Sequence, residues 1–397
     1  MSAVSDPPPS AVGWIDRRHL VRVALNVEQL LSPSPGGIGR YTRQLATLLA
    51  SEEPADEVIP FVAHHRRAQV SEVLGVAGID AEAVILRLPR PLLYESWVRL
   101  GLPPLTRSLR RVDVVHAPSV AVPGRGSIPL VVTVHDAAAE LYPEAFTAHG
   151  RRFHAEGVKA AARRADLVIA VSQAAADEIV AHTPVRAESV RVVYHGVDAP
   201  VIAAEERRSR LQARGLADRD YLLWVGSLEP RKDVATLLSA LVKLRTGGMT
   251  TPAVVLAGFR GWLNADIVSE EARRVIGDDL IQAGPVDERD LWSLYGGAML
   301  LALPSRHEGF GLTAVEAMTQ GTPVVCSDLP VTREILGPAA VRLPAGDIGA
   351  WAEAIEALVS DPNRRRRLGG EGRRWAARYS TSRFVAATRA VYREVGA

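Results

Sequence analysis

Continuous runs of Val, Ile, Leu and Ala, each only long enough for a strand, return along most of this chain and alternate with longer stretches of helical pattern. The strand-length runs fall at 20–25, 58–63, 84–87, 112–116, 130–135, 167–171, 190–193, 222–226, 253–257, 280–283, 299–303 and 323–326. Helical patterns fill 38–50, 153–164, 174–182, 234–245, 288–295 and 350–360. Most runs are apolar throughout rather than alternating, so these strands are predicted to be buried on both faces, as in parallel sheets covered by helices. Repeated β-α units predict an α/β, doubly wound architecture. The strands are too many for one sheet of usual size, so two such domains are expected. The break is placed between Gly196 and Tyr221, where Val197-Asp198-Ala199-Pro200 and the charged run Glu205-Glu206-Arg207-Arg208 interrupt the pattern. The division is therefore residues 1–199 and 200–375, followed by a tail.

Composition excludes several classes of function. The 397 residues are 47% hydrophobic and 23% charged, as in an ordinary globular protein. A net charge of +2, with no long basic block and few aromatics, argues against nucleic acid as a partner. The single cysteine, Cys326, allows neither an internal disulfide nor a thiolate metal cluster, and fits a reducing cytoplasm. Residues 1–10 are polar and proline-rich without a signal pattern, and no run reaches the roughly 18 apolar residues of a membrane span. The expectation is a cytoplasmic chain, at most peripheral to a membrane.

Chemistry concentrates in Arg306-His-Glu308-Gly-Phe310-Gly311-Leu-Thr-Ala-Val-Glu316. Gly309 and Gly311 place the start of a helix near Leu312, leaving Glu308 in the preceding loop and Glu316 in the first turns. The N–H groups of Phe310 to Ala314 would then lack intrahelical partners and offer an anion site. A carboxylate on either side suits a ligand with both phosphate and hydroxyls, which describes a sugar nucleotide. Gly226-Ser-Leu-Glu229-Pro230-Arg231-Lys232-Asp233 leads from a strand into a helix, and its tandem cations can grip a diphosphate. The plainer reading there is a charged helix start capped by Asp233. Pro33-Ser-Pro35-Gly36-Gly37-Ile-Gly39-Arg40-Tyr41 joins the first strand to the first helix, where glycines let a ligand approach the backbone. Thr42 stands where a dinucleotide fingerprint needs its third glycine. His135-Asp136 ends a buried strand, where α/β domains place functional groups. His116 ends the preceding strand as a secondary candidate.

These motifs resemble, in order, those of the retaining glycosyltransferases of family four (group 1). Glu308 and Glu316 match the donor-site E-x7-E, and the Gly226–Lys232 loop matches the phosphate motif. Arg164-Ala-Asp166-Leu-Val-Ile-Ala-Val-Ser172 and Tyr194-His195-Gly196-Val197-Asp198 match two further architectural motifs, with Ser172 expected to cap a helix. The resemblance covers about residues 20–388 and implies the GT-B fold: two Rossmann-like domains facing across a cleft. The first would bind acceptor and the second donor, with the tail at about 376–397 crossing back to the first. The cations and aromatics after Pro362, including Trp375, Tyr379, Phe384 and Tyr392, equally allow a helix docked on its own domain.

By the same resemblance, His135, Asp136 and Glu308 would serve the reacting centre. Arg231, Lys232, Gly36 and Gly37 would meet the donor diphosphate, together with Gly226 and the helix start Phe310, Gly311, Leu312 and Thr313. Glu316 would chelate ribose, Arg40 would add a cation to the cleft, and Val286 after Ala283-Gly284-Pro285 would flank the base. No metal and no resident cofactor is required by the sequence. Glu229-Pro230-Arg231-Lys232 most resembles the GDP-mannose-dependent branch, so α-mannosyl transfer to a glycan or lipid-linked sugar is the first expectation. UDP-glucose and UDP-N-acetylglucosamine donors stay open, as do a sugar-nucleotide epimerase and a catalytically silent module that binds the sugar nucleotide or a partner surface. Arg90-Pro91-Leu-Leu-Tyr94-Glu-Ser-Trp97-Val-Arg99-Leu100, with Arg107, Arg110 and Arg111 beyond, allows peripheral contact with an anionic inner leaflet. A helix packed by its apolar face, with arginines in water, accounts for the same residues.

Overall fold

The computed structural model describes residues 20–53, 55–109, 111–124, 126–259 and 267–397. Arg110 and the proline-rich residues 1–10 lie outside them. The apolar runs become two parallel sheets. The first holds β1 (Arg22–Asn26), β2 (Glu57–Val62), β3 (Val84–Ile85), β4 (Val114–Ala117), β5 (Leu130–Val134), β6 (Leu167–Ala170) and β7 (Val190–Val192). The second holds β8 (Tyr221–Val225), β9 (Ala253–Ala257), β10 (Leu280–Gly284), β11 (Leu300–Leu303), β12 (Val324–Ser327) and β13 (Val341–Leu343). Their orders are β3-β2-β1-β4-β5-β6-β7 and β10-β9-β8-β11-β12-β13, so both are doubly wound in the same sense. Strand order reverses beside β1 in one sheet and beside β8 in the other. The loops after these strands carry Gly36-Gly37 and Arg231-Lys232 respectively.

Two differences from the sequence reading stand out. β13 is an added edge strand of three residues, too short for a recognisable apolar run. The interval 196–221 is not only a linker, because Ala204–Ala213 forms a helix within it. Leu211 is that helix's one buried residue, and Arg210 and Arg214 anchor the segment on Asp290 at 2.8 and 2.5 Å.

The final helix, Thr381–Glu394, packs into the core of the first domain: Phe384, Val385, Val391 and Tyr392 join Tyr41, Leu45 and Leu49. Tyr392 meets Nδ1 of His116 at 2.7 Å, and Thr133 meets its Nε2 at 2.8 Å. His116 is thus enclosed and bonded on both nitrogens, which removes it as a cleft residue. Burial pushes its pKa down to about 3, so it is neutral.

The two domains touch through specific polar groups. Glu334 accepts hydrogen bonds from the N–H groups of Gln173 and Ala174, both at 2.8 Å, at the start of the Gln173–His182 helix. Ser172 caps that helix by accepting from the Ala175 N–H, and its hydroxyl donates to the Gly309 carbonyl at 2.7 Å. Arg43 pairs with Glu288 at 2.8 Å.

Candidate active site

The loop after β11 turns tightly because Gly311 takes a left-handed conformation (φ 85°) and serves as N-cap of the Leu312–Thr319 helix. Glu308 therefore sits before the helix and Glu316 inside it. Ala314 already donates its N–H to the Gly311 carbonyl, so the open donors end at Thr313, one residue short of the expectation. Gly309 packs against the first domain: a Cβ there would lie 2.5 Å from the His135 carbonyl oxygen. This approach brings the Glu308 loop beside His135 and Asp136.

Lys232 reaches the same point from the turn Pro230–Lys232, donating to Glu308 Oε1 at 2.7 Å. Ser305 donates to the same oxygen at 2.6 Å. Burial pushes the Glu308 carboxyl up, but Lys232 and Arg231 outweigh it and hold it below the usual range. Arg231 donates to the His307 carbonyl at 3.1 Å. Burial lowers the Arg231 pKa, while Asp136, Glu308 and Glu229 raise it further and fix the charge. Asp136 is likewise pushed up by burial and pulled below its usual range by Arg231, His307 and the Ala138 N–H, whose hydrogen bond is 3.0 Å.

His135 donates from Nε2 to the Pro118 carbonyl at 2.9 Å, since a carbonyl oxygen only accepts. Its lone pair is therefore on Nδ1. Burial lowers its pKa, against the opposing influence of Pro118 and Asp136, and keeps the ring neutral near pH 7. Tyr41, perpendicular to it, and His195, parallel to it, flank the ring, with centroids 5.0 and 6.2 Å away.

The other expected residues separate into distinct places. Glu316 is buried and bonded to Arg40 from the first domain, with Nη1 to Oε2 at 3.0 Å and Nη2 to Oε1, while Tyr295 donates to Oε2 at 2.7 Å. Arg40 is thus the partner of the proposed ribose carboxylate rather than a free cation. Together they border a cavity of about 340 Å³ that also touches Arg43, Glu288, Trp292 and Leu312. Gly36 and Gly37 open the Gly36–Ser51 helix facing free space, with nothing within 4 Å of a Cβ on either. Gly226 follows β8 and donates its N–H to the Ala257 carbonyl at 3.0 Å. Leu312 and Thr313 are half-buried in the first helical turn, and Val286 is half-buried against the second domain's core.

Three further side chains take defined places. The Phe310 ring is buried among His195, Tyr194 and Tyr379, with centroids 4.8, 6.5 and 5.5 Å away, which leaves its backbone N–H as the group the expected anion site would use. Asp233 does not cap the following helix through its side chain, which instead accepts from Arg306 Nε at 3.0 Å. Trp97 is fully buried, donating to the Pro103 carbonyl at 3.2 Å, and lies on no membrane-facing surface.

Sequence reasoning gave no individual role to Glu229, Ser305, Tyr295 or His154. Glu229 lies inside the Gly226–Asp233 motif, and Ser305 immediately precedes the one that begins at Arg306. Tyr295, bonded to Glu316, and His154, whose charge would act on Asp136 and His135, carried no local signal, because only the fold brings them to the site.

Comparisons with known proteins agree with this geometry. Residues 35–200 match the model for Glycosyltransferase Family 4, and residues 207–375 match that for Glycosyl transferases group 1. The chain is 29% identical over 335 residues to O-antigen chain mannosyltransferase B of Escherichia coli, covering 82% of this chain and 87% of the relative. It is 31% identical over 284 residues to a D-inositol 3-phosphate glycosyltransferase of Xylanimonas cellulosilytica, covering 68% and 67%. The crystal structure of Anabaena HepE in complex with UDP and glucose superposes with a TM-score of 0.73 at 20% identity, covering 94% of this chain and all of that one. With two doubly wound sheets meeting at these motifs, the chain belongs to the group 1 glycosyltransferases of GT-B fold and is a hexosyltransferase.

Proposed function

We propose that the protein transfers α-mannose from GDP-mannose, with retention of configuration, onto a glycan or lipid-linked sugar. The observation that carries this reading is the Lys232–Glu308 contact at 2.7 Å, set beside Arg231, the helix start at Gly311 and the His135-Asp136 strand end. It supports reading Arg231 and Lys232 as the cations for the diphosphate and Glu308 as the carboxylate for the sugar hydroxyls, side by side between the domains. The mannose assignment draws support from Glu229-Pro230-Arg231-Lys232 and from the mannosyltransferase relative.

In this reading Lys232 exchanges Glu308 for the donor diphosphate, and Glu308 is released to the hexose hydroxyls. Arg231, Lys232 and the helix N-terminus stabilise the charge that builds on the leaving group. The bond from the anomeric carbon to phosphate oxygen breaks, the bond to the acceptor oxygen forms on the same face, and the acceptor proton passes to the leaving phosphate. His135 takes part as a neutral ring with its Nδ1 lone pair, orienting the centre rather than donating a proton. Glu316 turns to the ribose once Arg40 lets go. These protein cations serve the diphosphate without a resident cofactor or metal.

The acceptor is read by the first domain. Among the described residues no helix is long and apolar enough to cross a membrane. A peripheral contact from a cytoplasmic site would use Leu92 and Leu100, which are 63% and 72% exposed on or at the end of the Arg90–Leu100 helix. The test is thermal stabilisation by GDP, UDP, GDP-mannose, UDP-glucose and UDP-N-acetylglucosamine. GDP-mannose is expected to raise the melting temperature more than GDP, and GDP more than UDP. The reverse order reassigns the donor to the UDP class. No shift with any ligand overturns the donor-site reading and leaves a silent module that binds a partner surface as the better one.

A further inference from the structure

Glu229 is a carboxylate enclosed in the donor site that the reaction above does not use. It is only 5% exposed, yet its Oε2 has no hydrogen-bond partner among the described residues. Nη2 of Arg231 stands 3.6 Å away, beyond hydrogen-bonding distance. Nε of Arg231 is buried and unpartnered as well. Unmet buried groups of this kind are costly and uncommon, so a pair of them in one cluster needs an explanation. Lys232, Glu308 and Asp136 all act electrostatically on Glu229, which locates it among the groups assigned to the diphosphate and the hexose.

The two unmet atoms differ in what they require. A carboxylate oxygen needs a donor, and a diphosphate, which only accepts, cannot supply one; a sugar hydroxyl can. The guanidinium Nε–H needs an acceptor, and a phosphate oxygen is one. Their juxtaposition therefore matches the junction of a sugar diphosphate. We infer that Glu229 accepts a hydrogen bond from a hydroxyl of the transferred hexose and so helps to select the donor sugar, while Arg231 turns its Nε to the adjoining phosphate. This rests on the donor-site reading above. It adds a sugar-reading carboxylate on the loop after β8, separate from Glu308 after β11.

Calorimetric titration of the full chain with GDP and with GDP-mannose, repeated with UDP and UDP-glucose, tests the assignment. Glu229→Ala is expected to weaken the preferred nucleotide sugar about tenfold, while the free nucleoside diphosphate stays within about twofold. Glu229→Gln, which keeps a neutral acceptor, should lose roughly threefold. Discrimination between the two sugar donors should narrow in both variants, whose melting temperatures confirm that they are folded. An equal loss for diphosphate and sugar donor would mean that Glu229 only positions Arg231, and no loss would mean that it meets nothing; either overturns the inference. A wild-type chain that binds no nucleotide sugar instead overturns the reading beneath it, so the two failures are distinguishable.

Discussion

Lys232 occupies the point where the chemistry is most sensitive to a single side chain. Its ammonium holds Glu308 in the resting site and the leaving diphosphate in the proposed reaction. Lys232→Ala is expected to lower kcat by about 100-fold or more, the scale of losing one preorganised charge at a leaving group. Unchanged turnover in a donor-consumption assay would remove the phosphate role. Lys232 and Glu308 were legible in the sequence because each sits in a short motif whose spacing survives folding. The Arg40–Glu316 pair was not, since its members lie 276 positions apart and only domain contact joins them. The place of the Phe310 ring was not legible for a related reason: the motif speaks only for its backbone, and the ring joins an aromatic cluster around His195 that folding assembles.

Elements became visible in proportion to how much apolar surface they bury. The central strands, apolar on both faces, were plain from composition; β13, with an exposed Arg342 in its middle, was not. The Ala204–Ala213 helix was missed because charge pairs rather than an apolar stripe hold it. The final helix is the opposite case, with aromatics spaced for a buried face. Its Tyr392 hydroxyl ends a buried polar chain through His116 and Thr133 to Tyr41, the ring that stands perpendicular to His135. Tyr392→Phe leaves one His116 nitrogen unmatched and should reduce unfolding free energy by about 2 kcal/mol in a urea titration. An unchanged midpoint would show that the hydroxyl contributes nothing to docking the helix.

At the scale of the whole molecule, the domains must meet for the site to be complete. Gly309→Ala would push a Cβ to 2.5 Å from the His135 carbonyl oxygen, a backbone atom with little freedom to move. Turnover should fall at least tenfold while nucleoside diphosphate affinity, provided by the second domain, changes less than about twofold. Equal loss of both would place the defect in the donor loop instead of in closure. The fold is also expected to weaken in acid. His116 and His195 are buried with pKa values of about 3, whereas the unfolded chain protonates histidine near 6.5. Their stabilising contribution is complete above about pH 6.5 and is lost as pH falls towards 3, on the order of 4 kcal/mol for the two at pH 5. Equal urea midpoints at pH 7 and pH 5 would contradict this. The pairing of the site's charges has a kinetic consequence. Asp136, Glu229, Glu308 and Glu316 face Arg40, Arg231 and Lys232, so these described charges of the resting cleft carry no surplus of positive charge to draw in an anion. Donor capture should therefore proceed at an unsteered rate that changes little with added salt, and the slow part of binding is the swapping of partners after arrival rather than the encounter itself.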